Sequence, residues 1–194
     1  MRIGLYFGSF NPIHLGHIQL AKQALLQGKL DKIWLIVSPQ NPFKENHQLA
    51  SEHHRVAMAQ LACAQEAAIE VNTIELGLPR PSYTIHTLRT LLQQHPETRF
   101  YLIIGEDNLP SFPLWKDYTA ILSLVELLVY PRSETPQDLP TNLTPFHDRI
   151  HRLKGELLPV SATEIRSSIA EGQSVSGKVN PAVLDYIEKH HLYL

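Results

Sequence analysis

Short, unbroken apolar runs alternate along this chain with longer stretches in which apolar side chains recur every three or four positions. The pattern reads as strands buried on both faces, with amphipathic helices between them. Residues 2–7 (RIGLYF) form the first run and stop at Gly8-Ser9; residues 15–26 follow, with Leu15, Ile18, Ala21 and Leu25 on one helical face and a stop at Gly28. Residues 32–37 (KIWLIV) predict a second buried strand closed by the turn-rich segment 38–42, after which Ser51 can cap a helix to about Ala64. Weaker strand signals lie at 68–71 and 73–76, helical spacing at 83–94, and clear strand runs at 100–104 and 125–130. From 131 to about 149, Pro, Thr, Ser and Asp dominate without a period, which predicts a long surface loop. Two capped helices follow, one from Ser161 to about Ala170 and one from Asn180-Pro181 to about His190, the latter with proline at its first helical position.

Strands alternating with helices imply parallel neighbours joined by right-handed crossovers, hence a doubly wound α/β fold with helices on both faces of the sheet. A length of 194 residues suits one such domain. Seventeen Lys and Arg against nineteen Asp and Glu give a net charge of −2, so no strong field is available for gripping nucleic acid or an anionic membrane. The most apolar stretch, 121–130, is too short to span a bilayer and carries Glu126. The first residues run straight into a strand pattern rather than a signal-peptide core, and Cys63 is the one cysteine, so a cytoplasmic protein is expected.

In an open α/β sheet, ligands bind beyond the carboxyl ends of the strands, so the segment after the first strand is the first place to look for chemistry. Gly8-Ser9-Phe10-Asn11-Pro12-Ile13-His14-Leu15-Gly16-His17 is neither a G-x-G-x-x-G fingerprint nor a P-loop. It offers a glycine that lets backbone approach a ligand, then two histidines three apart at a helix start, where N–H donors and the dipole favour an anion. Zinc held by His14 and His17 lacks a convincing third and fourth ligand. Ser161-Ala162-Thr163-Glu164 reads as a capping box, which accounts for Ser161 and Glu164 but not for Arg166, a cation in early helical turns that favour acidic residues unless an anion is bound. Gly105-Glu106-Asp107 again follows a strand, where Asp107 could meet a ligand or merely cap a helix.

The segment 8–17 resembles the GxFxPxHxGH signature of the nucleotidyltransferases, and Ser161-Ala162-Thr163-Glu164-Ile165-Arg166 is similar to their SSTxxR signature. The likeness covers nearly the whole chain: residues 39–44, Pro81-Ser82-Tyr83-Thr84, Gly105-Glu106-Asp107-Asn108-Leu109 with Trp115, and the segment 179–193 resemble the bacterial nicotinate-nucleotide adenylyltransferases. The resemblance implies a Rossmann-like nucleotidyltransferase domain over 1–194 with a helical portion from about 160. It also implies a cytoplasmic enzyme of NAD biosynthesis that joins ATP to nicotinate mononucleotide, releases pyrophosphate and uses Mg2+ carried with ATP. Nicotinamide mononucleotide and phosphopantetheine are alternative acceptors within the same chemistry, and a nonenzymatic nucleotide-sensing domain is the alternative outside it. Asn11 stands where many members have Asp, His86 replaces a frequent Asp, and Glu106 sits where a small residue is commoner.

By that resemblance His14, His17, Lys44 and Arg166 carry the catalysis. Gly8, Ser9, Phe10, His14, His17, Gly105, Asp107, Ser161, Thr163 and Arg166 hold ATP, while Ser9, Lys44, Thr84, Asp107 and Trp115 hold the mononucleotide; no residue is assigned to a metal. On its residue type alone, Lys44 is an exposed loop lysine and Trp115 a core aromatic. The nucleophile would be a phosphate whose second pKa near ~6 leaves it dianionic at neutral pH, so the protein need only hold two anions in line and neutralise developing charge. A neighbouring phosphate is expected to raise the two imidazole pKa values.

Overall fold

The computed structural model describes residues 1–39, 49–132, 138–155 and 159–194. Six parallel strands, β1 (Arg2–Gly8), β2 (Lys32–Val37), β3 (Ile69–Asn72), β4 (Arg99–Gly105), β5 (Glu126–Tyr130) and β6 (Ile150–Arg152), form one sheet in the order β3-β2-β1-β4-β5-β6. The chain winds outward from β1 in one direction and resumes at β4 in the other, so the switch in winding falls between β1 and β4. The helices are α1 (Leu15–Gln27), α2 (Glu52–Cys63), α3 (Thr84–Gln94), α4 (Tyr118–Leu124), α5 (Ala162–Ala170) and α6 (Pro181–Lys189). This is the doubly wound, Rossmann-like architecture expected from the alternation of runs.

Side chains alternate across the sheet, and two apolar clusters result. Tyr6, Leu35, Val37, Tyr101 and Ile103 face α1, α2, α5 and α6 through Ala21, Met58, Ile165, Val183 and Ile187. Ile3, Leu5, Phe100, Leu102 and Ile104 face α3 and α4 through Ile85, Leu88, Ile121 and Leu122. Helices α5 and α6 thus share a core with β1 and α1, which brings the Ser161 segment to the same side of the sheet as His14 and His17.

Three elements depart from the sequence reading. The strand signal at 73–76 is a 3-10 turn, Ile74–Gly77, because the Asn72 side chain accepts the Ile74 N–H at 2.9 Å and ends β3, while Glu75 is buried and accepts the Thr87 hydroxyl at 2.8 Å. The region 131–149 is not loop throughout: Thr141–Arg149 is 3-10, and it feeds the three-residue edge strand β6, whose single buried residue, Ile150, is too little for a period to show. Helix α4 gives no separate signal in the sequence because its apolar residues run on into those of β5.

Candidate active site

The loop after β1 is shaped by Phe10, which adopts φ 46° and folds its buried ring back over Gly8, where a Cβ would meet the ring at 2.8 Å. Glycine is required at position 8 for that reason. The same ring stands edge-on to His17, centroids 5.2 Å apart, so the loop's apolar anchor also supports one imidazole.

His14 caps α1 and His17 sits one turn in; their rings stack at 3.6 Å. The backbone N–H of His14 donates to Nδ1 of His17 at 3.2 Å, which fixes the neutral His17 as the tautomer whose Nε2 carries the proton and serves as a donor. Burial lowers the pKa of His14 from 6.5 to about 4, and the charge of Arg132 acts in the same direction. His17 is also lowered, by burial first, then by His14 and Arg132. In the chain without a ligand, two buried, stacked rings beside a guanidinium resist protonation; the rise expected from a neighbouring phosphate concerns the loaded site. His14 Nδ1 is buried with no protein partner among the described residues.

Sequence-distant side chains converge on Asn11, which is fully buried. Arg166 Nη1 donates to its carbonyl at 2.8 Å, the Tyr193 hydroxyl donates to its Oδ1 at 2.8 Å, and the Ala50 N–H donates to the same oxygen at 3.0 Å. Arg166 is thereby tied to the loop that leads into His14. Its other guanidinium nitrogen, Nη2, donates to Thr163 Oγ1 at 3.3 Å, and Ser161 Oγ accepts the Glu164 N–H at 3.1 Å as the N-cap of α5. Val160, just ahead of that cap, lies beside Gly16, so the start of α5 faces the start of α1.

Two cations escaped the sequence reading. Arg55 on α2 is fully buried and donates to four backbone carbonyls, those of Ala50, Ser9, Ser38 and Pro39. Burying an ion costs several kcal/mol, and hydrogen bonds to a charged group return about 1.5–3 kcal/mol each, so four of them can hold this guanidinium in place. Arg132, just past β5, donates through Nε to Asp107 Oδ1 at 3.2 Å and through Nη2 to the Tyr130 hydroxyl at 2.9 Å, and its charge reaches both histidines. Its only sequence signal was its place after a strand at the ligand edge.

Gly105 and Asp107 depend on each other, since a Cβ at 105 would lie 2.1 Å from the Asp107 carboxylate. Glu106 turns the other way, is buried, and pairs with Arg152 of β6, which explains how an acid is accommodated at that position. Thr84 opens α3, and Trp115 packs on Phe112 at 5.0 Å; their neighbours Tyr83 and Lys116 meet with the ammonium 4.5 Å from the ring centroid. This pair belongs to the α3 and α4 side of the sheet, whereas the histidines belong to the α1 side, with the ends of β1 and β4 between them. Lys44 lies outside the described residues. Among the described residues no group of three or more His, Cys, Asp or Glu is placed to hold a metal ion, and no helix is long and apolar enough to cross a membrane.

Histidine donors, guanidinium groups and helix N-termini gathered along the carboxyl edge of the sheet can bind and neutralise a polyphosphate. The cytidylyltransferase-like family model matches residues 5–168. A relative from Flavobacterium johnsoniae named "Probable nicotinate-nucleotide adenylyltransferase" is 39% identical over 194 residues, covering 100% of this chain and 99% of its own. One of the same name from Bacteroides fragilis is 40% identical, covering 94% and 89%. Among solved structures, a Plasmodium falciparum nicotinic acid mononucleotide adenylyltransferase complexed with NaAD superposes with a TM-score of 0.80 at 19% identity, over 99% of this chain and 97% of that one, a likeness of fold.

Proposed function

The chain belongs to the cytidylyltransferase-like family, and from that premise we propose that it transfers the adenylyl group of ATP to nicotinate mononucleotide, giving nicotinate adenine dinucleotide and pyrophosphate in NAD biosynthesis. The observation that carries the reading is the Arg166 to Asn11 bond, which draws the start of α5 against the loop that delivers the stacked histidines. Its substrate assignment is supported by the names of full-length relatives.

The mononucleotide phosphate attacks the α-phosphorus of ATP as the bond to the β,γ-pyrophosphate breaks, so no proton need be removed by the protein. His17, through Nε2, and His14 donate to the α-phosphate, while Arg166, with Ser161 and Thr163, receives the leaving pyrophosphate. The backbone of Gly8, Ser9 and Phe10 lines the triphosphate path, and Gly105 with Asp107 takes the adenosine side. Asp107 and Ser9 also border the mononucleotide, whose pyridine ring stacks on Trp115 and whose carboxylate meets the N–H groups at Thr84, where α3 begins. Arg132 adds a cation that the resemblance did not supply, facing the same histidines. Lys44 is retained as a cation for the β- and γ-phosphates. Magnesium would enter with ATP, held by phosphate oxygens and water, and would neutralise charge on the leaving pyrophosphate. Residues 1–194 act as one domain, a reading supported by the core that α5, α6 and β1 share, in an enzyme of the cytoplasm.

The test is direct. The protein is mixed with MgATP and, separately, nicotinate mononucleotide, nicotinamide mononucleotide and phosphopantetheine, and pyrophosphate release is followed. Fastest turnover on nicotinate mononucleotide is expected. A preference for phosphopantetheine overturns the acceptor, and ATP binding without pyrophosphate from any acceptor points to nucleotide sensing.

A further inference from the structure

The β1–β2 ladder ends at Gly8 opposite Val37, with one further bond from the Ser38 N–H to the Gly8 carbonyl at 2.9 Å. Past that rung the guanidinium of Arg55 joins Ser9, just after β1, to Ser38 and Pro39, just after β2. Its Nη1 donates to Ser9 O at 2.7 Å and to Ser38 O at 2.6 Å, Nη2 donates to Pro39 O at 2.8 Å, and Nε donates to Ala50 O at 3.0 Å. All of these acceptors are backbone, so the side chain sets main-chain geometry and does not pair charge with charge. A planar fork with donors on three nitrogens fits acceptors from three segments; a lysine, with its donors on one nitrogen, does not.

Orientation follows. The Ser9–Phe10 peptide is trans, so turning the Ser9 carbonyl inward to Arg55 turns the Phe10 N–H outward, away from α2. Phe10 is the residue whose left-handed backbone and folded-back ring support His17. We propose that Arg55, which is fully buried, is a positioning residue for adenylyl transfer: it locks Ser9, after β1, against Ser38, Pro39 and Ala50, so that its loss lowers turnover more than substrate affinity. The proposal rests on the function given above.

Two variants test it in the full chain. Arg55→Lys keeps the charge and loses the fork; Arg55→Met keeps the bulk and loses both. Kinetics are measured with both substrates well below each variant's melting temperature. The expected result is a kcat reduced roughly 10-fold in the lysine variant and roughly 100-fold in the methionine variant, the scale that about 1 Å of misplacement produces. KM for ATP and for the mononucleotide stays within about 3-fold of wild type, which is the mark of an interaction realised at the transition state. A lower melting temperature with unchanged kcat makes Arg55 a purely structural residue and overturns the proposal, as does a raised KM with unchanged kcat. Failure of both variants to fold does the same. Wild-type protein that releases no pyrophosphate with any acceptor sinks the assigned function and this inference with it, whereas an active wild type beside an unimpaired Arg55→Lys sinks this inference alone.

Discussion

The two ends of the sheet handle their cations differently. At the amino ends of the strands, Lys32 bonds the Glu70 carboxylate, which also takes the Trp34 indole N–H at 3.0 Å, and Arg99 and His151 share Glu126, the histidine at 2.7 Å. At the carboxyl ends, Arg132 and Arg152 have acidic partners, but Arg55 and Arg166 rest on carbonyl and hydroxyl oxygens. Neutral acceptors fix a guanidinium in place without cancelling its charge. The amino edge is largely closed by ion pairs, with Arg2 the exception, its Nη2 donating to the Gly28 carbonyl at 2.9 Å. The carboxyl edge keeps the charges of Arg55 and Arg166 for an anionic ligand, while burial first and Arg132 after it hold His14 and His17 in their neutral forms.

The contrast breaks if the carboxyl-edge donors prove dispensable. His17→Ala is expected to lower kcat roughly 10² to 10³-fold with folding intact, the loss associated with one preorganised donor; steady-state kinetics with circular dichroism decides it, and a change in KM alone reassigns the residue to ground-state binding. A second effect is on stability. Because the pKa of His14 falls from 6.5 to about 4 on folding, the unfolded chain binds a proton that the folded chain refuses between those values. Stability is then fully present above about pH 6.5 and is lost as pH falls toward 4, by about 2 to 3 kcal/mol for this group. Urea unfolding at pH 7.5 and 4.5 should show a shallower loss for His14→Gln than for wild type; equal losses contradict the assignment.

Smaller effects sharpen the contrast. Arg166→Ala should raise the KM for ATP roughly 10-fold, as befits one lost charge-assisted contact, and raise that for the mononucleotide less; equal increases contradict a triphosphate role. At the closed edge, Arg99→Ala should cost less than about 1 kcal/mol and leave kcat/KM alone, because an exposed pair contributes little. A large loss of activity there removes the distinction between the edges.

What the sequence discloses and what it hides follow from the range of the interactions. Runs such as KIWLIV and the spacing of Ile85, Leu88 and Leu91 are local, and the structure puts strand and helix where they predict them. His14 and His17 are one turn apart, so their stacking was implicit in their spacing. Arg55 looks like an ordinary residue of an amphipathic helix, because its partners lie 5 to 46 positions away and are backbone atoms, which leave no mark on composition. Tyr193 and Asn11 are 182 positions apart, and no period links them. The lowering of the histidine pKa values is hidden for a related reason: it comes first from burial and then from Arg132, 115 or more residues from either imidazole, and both act only in the folded chain.

The strand order has a bearing on synthesis. β1 lies between β2 and β4, so one side of it waits for Arg99–Gly105 to be made, and the loop it carries waits longer for Arg166. On a ribosome adding about 5 to 20 residues each second, the nascent chain keeps an apolar strand edge uncovered for several seconds, the interval in which a holding chaperone would find it.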